Sequence, residues 1–200
     1  MRVQVARWIE RSRANGPGER FVLWVQGCPI RCPGCWNPDT WDPSGGQTVD
    51  AEELARVVLA VEGIEGITLT GGEPFVQAGG LLPFVRRVRE AGLSVVAFSG
   101  FPLSRLLEAG NANAKEPRPD PAAPALLQLV DLQVAGPYDR ARRANLPLRG
   151  SSNQRLYFLT NRYTFEDLED APELEIHLDG EHAALTGFPA DTDEWLECIS

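Results

Sequence analysis

Three of the chain's four cysteines, Cys28, Cys32 and Cys35, fall within eight residues in the spacing Cys-x-x-x-Cys-x-x-Cys, while Cys198 stands alone near the end. Thiolates from one short loop are metal ligands by type, and Pro29, Pro33 and Gly34 restrict or permit the turns that make them converge. Three ligands are one too few for a structural zinc site, and one fewer than an ordinary [4Fe-4S] cluster takes. A cluster on Cys28, Cys32 and Cys35 would therefore keep one iron open to an exogenous ligand. The competing reading is a zinc ion completed by His177, His182 or Cys198. Zinc motifs usually arrive as two separated Cys or His pairs, and no second pair occurs here.

The elements that must position this loop follow from pattern. Phe21 to Val25 is a short apolar run bounded by Gly27, the mark of a buried strand, and the cysteines follow it directly. Asp50 with Glu53 resembles a capping box opening a helix through Leu54, Val57, Val58 and Val61. Ile67 to Thr70 is a second strand, ending at Gly71-Gly72-Glu73-Pro74. A helix carrying Leu81, Leu82, Phe84, Val85 and Val88 leads to a third strand over Leu93 to Phe98. A short helix near Leu103 to Glu108 precedes residues 110–124, which lack periodicity and are expected to form a surface insertion. A helix near Leu126 to Val130, strands at Asp131 to Val134 and Arg155 to Thr160, and a hairpin over Glu173 to Thr186 turning at Asp179-Gly180 complete the pattern. Alternating strands and helices imply a single α/β domain over residues 1–200, with a mostly parallel, closed or partly closed sheet. The loops at the strand carboxyl ends would then meet at one rim.

Composition narrows the function. The chain has 200 residues, 43% hydrophobic and 24% charged, as one globular domain should. A formal charge of −9 disfavours nucleic acid as a partner. Neither a signal-peptide run nor a membrane-length apolar stretch is present, so a cytoplasmic location without membrane contact is expected. Clustered rather than spread cysteines favour a metal centre over disulfides.

With Cys-x-x-x-Cys-x-x-Cys after one strand and Gly-Gly-Glu-Pro after the next, the chain resembles the radical S-adenosylmethionine (SAM) superfamily. That resemblance implies a partial (β/α)6-type radical SAM barrel. It also implies that SAM binds the open iron of a [4Fe-4S] cluster and that Thr70, Gly71, Gly72 and Glu73 contact its amino group. Two glycines let backbone approach a ligand closely, and the carboxylate answers an ammonium. Gly34, Cys35, Trp36 and Ser99 are further candidate SAM contacts, Ser99 being equally suited to bond its own backbone as a turn serine. At Ala135 contact is confined to backbone, because the acidic residue the family often carries there is missing.

Within the superfamily the chain looks most like the activating proteins of anaerobic ribonucleoside-triphosphate reductase. The likeness rests on Gly16 to Arg20, Gly27 to Trp41, Gly136-Pro137-Tyr138, Arg149 to Arg155, and Leu185 to Pro189. Gly34, where many superfamily members have an aromatic residue, fits this narrower group. The resemblance implies reductive cleavage of SAM to methionine and a 5′-deoxyadenosyl radical, which takes hydrogen from a glycine of a large glycyl-radical enzyme. Flavodoxin or ferredoxin would supply the electron. The alternative is a radical SAM enzyme acting on a small molecule or peptide, akin to 7-carboxy-7-deazaguanine synthases or peptide maturases. Residues 151–154 have two open roles, satisfying backbone groups in a tight loop or contacting SAM or the partner. His177 and His182 are expected to be ordinary structural or exposed residues rather than ligands.

Overall fold

A computed structural model describes residues 1–111, 117–169, 171–179 and 182–188. Its frame is a seven-stranded mixed sheet in the order β3-β1-β2-β4-β5-β6-β9. Four strands run parallel at the centre: β2 (Arg20–Val25), β4 (Gly66–Gly71), β5 (Ser94–Ser99) and β6 (Leu132–Ala135). Antiparallel strands flank them, with β1 (Arg2–Ser12) and β3 (Gln47–Asp50) on one side and β9 (Arg155–Phe158) on the other. The expected α/β alternation is present, but the strand order is open, with β3 and β9 at its two edges.

Crossovers set the helices on one face. β2 leads through the cysteine loop and β3 into α1 (Ala51–Leu59), then β4, α2 (Ala78–Glu90), β5, α3 (Leu103–Leu107), α4 (Ala123–Leu127) and β6. α1 begins where the sequence places it, with the Asp50 side chain accepting from the Glu52 N–H. α4 starts three residues earlier than expected, because Pro124 sits in its first turn, where a missing N–H costs nothing. The far end of the 110–124 segment is docked rather than free: Asp120 N–H donates to Phe75 O, and Ala123 is buried.

Alternation along the strands splits the core. Val95 and Ala97 pack with Leu81, Phe84, Val88 and Leu126 under the helices. Val96 on the opposite face joins Leu132, Val134, Leu148, Tyr163 and Leu168. That second face is covered by the hairpin of β7 (Arg143–Leu146) and β8 (Arg149–Ser151) and by the segment carrying Tyr163 and Leu168. The hairpin of β10 (Leu174–Asp179) and β11 (His182–Gly187) forms a separate two-stranded sheet. It is pinned by Glu175, which accepts from Ser12 and Arg13, and by Thr186, which accepts from Asn15. Gly180, at its expected turn, lies outside the described residues, as does Cys198.

Arg20 opens β2 and is fully buried. Its guanidinium donates to Thr68 Oγ1 at 2.9 Å, Pro17 O at 2.9 Å, Ile67 O at 2.6 Å and Tyr163 OH at 3.2 Å. Burial lowers its pKa from the usual value, and Tyr163 acts in the opposite direction. Tyr163 also donates to Ser94 Oγ at 2.6 Å, so one ring joins β2, β5 and the following segment. Replacing Tyr163 by Phe should cost about 1–2 kcal/mol, read as a lower urea midpoint with an unchanged denaturant slope.

Candidate cluster and cofactor site

The carboxyl ends of β2, β4, β5 and β6 lie side by side, and each carries residues singled out from sequence. Gln26 and Gly27 leave β2 and lead into the cysteines. The loop closes at a neck: Gly27 N–H donates to Thr40 O at 2.8 Å and Cys28 N–H to Trp41 O at 3.1 Å. The Gln26 amide adds bonds to Asp39 O at 3.0 Å and Asp42 O at 2.7 Å. Inside the loop, Cys35 N–H donates to Cys32 O at 3.1 Å, closing a four-residue turn. Pro33 and Gly34 occupy its centre, and Gly34 has φ +76°, as a type II turn requires at its third position.

All three thiols are free and half-buried. Burial raises the Cys28 and Cys32 pKa values. Backbone hydrogen bonds act in the opposite direction, from Arg31 and Ile30 at Cys28 and from Tyr138 at Cys32. Asn37 N–H points to Cys35 Sγ at 3.4 Å. Among the described residues no group of three His, Cys, Asp or Glu is gathered closely enough for a single metal ion. The donor set itself is three soft thiols from one loop, the chemistry of an iron–sulfur ligand set.

The Gly-Gly-Glu turn lies directly beneath this loop. Gly72 N–H donates to Val25 O at 2.8 Å and Glu73 N–H to Gly27 O at 2.9 Å. A Cβ on Gly72 would stand 2.5 Å from Gly27 O, so only glycine permits this approach. Glu73 is 1% exposed, and its carboxylate accepts from Phe75 N–H at 3.0 Å, Ser99 Oγ at 3.0 Å and Gly100 N–H at 2.8 Å. A carboxylate has about four acceptor positions, so about one stays open. Burial raises the Glu73 pKa to about 7, against these three hydrogen bonds.

Ser99 and Ala135 pair in register at the ends of β5 and β6, and Gly136 N–H donates to Ser99 O at 3.0 Å. Thr70, Gly71, Gly72, Glu73, Ser99 and Ala135 thus form one row of neighbouring strand ends. Gly34 and Trp36 lie farther out on the cysteine loop, where Trp36 is 38% exposed with the Arg143 guanidinium 5.7 Å from its ring centre. His177 lies in β10 beside Glu175, at 3.4 Å, and serves the hairpin rather than the rim.

Among residues 151–154, the side chains of Ser151, Asn153 and Gln154 bond backbone groups of a tight loop. Gln154 accepts from Gly150 and Ser151 N–H and donates to Gly136 O, Asn153 donates to Pro137 O, and Ser151 Oγ accepts from Asp139 N–H. These side chains hold the Gly136-Pro137-Tyr138 turn, whose Tyr138 N–H meets the Cys32 thiol. Sequence reasoning did not reach Gln26 or Gln77. Gln77 donates to Gln26 O at 2.8 Å and accepts from Gln4 N–H at 2.7 Å, tying the neck to β1. Lone polar residues paired across long sequence separations leave no local signal.

Residues 14–157 match the family described as the 4Fe-4S single cluster domain. Among curated proteins, the pyruvate formate-lyase-activating enzyme of Clostridium pasteurianum is 38% identical over 84 residues, 40% of this chain and 35% of that one. Pyruvate formate-lyase 1-activating enzyme of Escherichia coli is 30% identical over 146 residues, 70% of this chain and 54% of that one. The chain thus spans about half the length, or less, of these relatives. The anaerobic ribonucleoside-triphosphate reductase-activating protein of Enterobacteria phage T4 is 29% identical over 154 residues, 74% of this chain and 88% of that protein.

Proposed function

Since the chain belongs to the family of 4Fe-4S single cluster domains, we propose that it is a radical SAM activating enzyme that places a glycyl radical on a partner enzyme. The partner we assign is an anaerobic ribonucleoside-triphosphate reductase. The observation that carries this reading is the stacking of the three-thiol loop on the Gly-Gly-Glu turn through Gly72 N–H to Val25 O and Glu73 N–H to Gly27 O. The choice of partner is supported by the similarity to the phage T4 protein, which extends over 88% of that relative.

In this reading Cys28, Cys32 and Cys35 would hold a [4Fe-4S] cluster with one iron left for SAM. Once bound, the pair supplies a one-electron reductive cleavage of the sulfonium, which no side chain can perform. The chain's own work is positioning. Glu73 offers its remaining acceptor position to the ammonium of SAM, and the ends of β4, β5 and β6, at Thr70 to Glu73, Ser99 and Ala135, line its bed. Gly34, Cys35 and Trp36 cover it from the loop. The sheet is then an abbreviated form of the (β/α)6-type barrel, with the bed at its carboxyl rim. An outside donor of the flavodoxin or ferredoxin kind supplies the electron, and a reducing cytoplasm keeps the three thiols available.

The test is to mix reconstituted, reduced protein and SAM with a reductase encoded beside it, then follow electron paramagnetic resonance. The expected result is a glycyl-radical doublet on the reductase that depends on both SAM and this chain. SAM cleavage without any doublet on the reductase would refute the partner. Absence of cleavage would refute the activity as well.

A further inference from the structure

Arg7 lies outside every motif discussed above, yet it reaches the cysteine loop. β1 carries one residue more than β2 between the pairs Val5–Val25 and Arg7–Trp24, a bulge of the kind that re-aims a side chain. The guanidinium lies 5.0 Å from the centre of the Trp24 ring. From there it donates through Nη1 to Asp39 Oδ2 at 2.7 Å and through Nη2 to Asn37 Oδ1 at 2.7 Å. Asn37 is the residue whose N–H points at Cys35 Sγ.

An ion pair this exposed, with the two side chains 38% and 61% accessible, contributes little to stability. Its value lies in geometry. A planar fork lying over an aromatic ring and spanning two acceptors fixes both of them in relation to β1. Asn37 is thereby held at its side chain, while Thr40 Oγ1 donates to its carbonyl at 2.7 Å. Both oxygens of Asn37 are anchored, and its backbone N–H is left facing sulfur. Hydrogen bonds to ligand sulfurs raise the reduction potential of an iron–sulfur centre, and replacing residues that orient ligands from behind typically costs about 10- to 100-fold in metal affinity.

We propose that Arg7 is a positioning residue for the cluster: by fixing Asn37 it holds the N–H···Sγ hydrogen bond to Cys35, and so sets the reduction potential and the iron retention of the centre. This rests on the assignment of Cys35 as a cluster ligand.

Arg7→Ala and Arg7→Lys in the full-length chain test it. Lysine keeps the positive charge and an aliphatic stem over Trp24, but its single ammonium cannot reproduce the fork. In both variants the reconstituted cluster should have a more negative midpoint potential, and iron should pass to a chelator roughly tenfold faster or more. In cluster-free protein, the Asn37 amide should exchange with solvent faster than in the parent chain. A potential and an Asn37 exchange rate unchanged in Arg7→Lys would overturn the proposal, since charge alone would then suffice. Should the parent chain take up no cluster, the ligand assignment fails instead, and the Asn37 exchange rate still decides whether Arg7 orders the loop.

Discussion

Replacing Cys28, Cys32 or Cys35 singly with alanine is expected to abolish SAM cleavage and to take anaerobically reconstituted protein from about four irons per chain to a small fraction of that. The fold should survive. The three thiols are half-buried and take no part in the core, and the loop that carries them is closed by Gln26, Gly27 and Cys28 through backbone carbonyls that an alanine leaves untouched. Circular dichroism and the urea midpoint of the cluster-free variants should therefore match the parent, while the visible absorption of the reconstituted protein disappears. Cys198→Ala is the control, with full iron expected. A full iron complement in any of the three loop variants would remove that cysteine from the ligand set.

Glu73 should give the second large effect, and one that depends on pH. Burial raises its pKa to about 7 from a usual 4.5. The folded chain therefore prefers the protonated form. The stability this group contributes is complete below about pH 4.5 and is lost as pH rises through about 7. The difference corresponds to roughly 3 kcal/mol. In Glu73→Gln that pH-dependent component disappears. The variant also acquires a mismatch, because the amide nitrogen must face one of the N–H donors of Phe75 or Gly100, at about 1–3 kcal/mol. Urea midpoints of cluster-free protein across this range should show the parent losing stability toward neutral pH relative to Glu73→Gln. A cationic ligand group beside the carboxylate favours its ionised form. SAM binding to the parent should accordingly strengthen as Glu73 ionises, and Glu73→Gln should bind weakly with little pH dependence. Parallel pH profiles for the two proteins would contradict the assignment.

The cysteine loop and the Gly-Gly-Glu turn were readable from sequence because their chemistry is contiguous: ligands, turn residues and glycines fall within a few positions of one another. The parallel strands were readable because strands covered on both faces are nearly all apolar, as in Phe21 to Val25. β1 was not foreseen. It lies between β2 and the edge strand β3, and Arg7 and Arg11 fall where the alternation begun by Val3 and Val5 calls for apolar residues. The β7–β8 hairpin was hidden for another reason. Its connection is Pro147-Leu148, and Leu148 takes φ +58° without being glycine or asparagine, its side chain only 4% exposed among Val134, Tyr163 and Leu168. Tertiary burial, not turn chemistry, holds that conformation. Arg7, Gln26 and Gln77 escaped notice because each acts on a residue that only folding brings near.

The closed neck of the cysteine loop bears on how much ordering a metal centre must do. In small zinc modules the ligands are scattered until the metal gathers them, so part of the binding free energy goes into ordering the chain. Here hydrogen bonds from β1, β2 and the turn after β4 hold the base of the loop, with Thr40 wholly buried there. A smaller share of the binding free energy should then go into ordering the chain. Whatever is not so consumed appears as added stability of the loaded fold, because a centre bound only by the folded chain stabilises it by mass action.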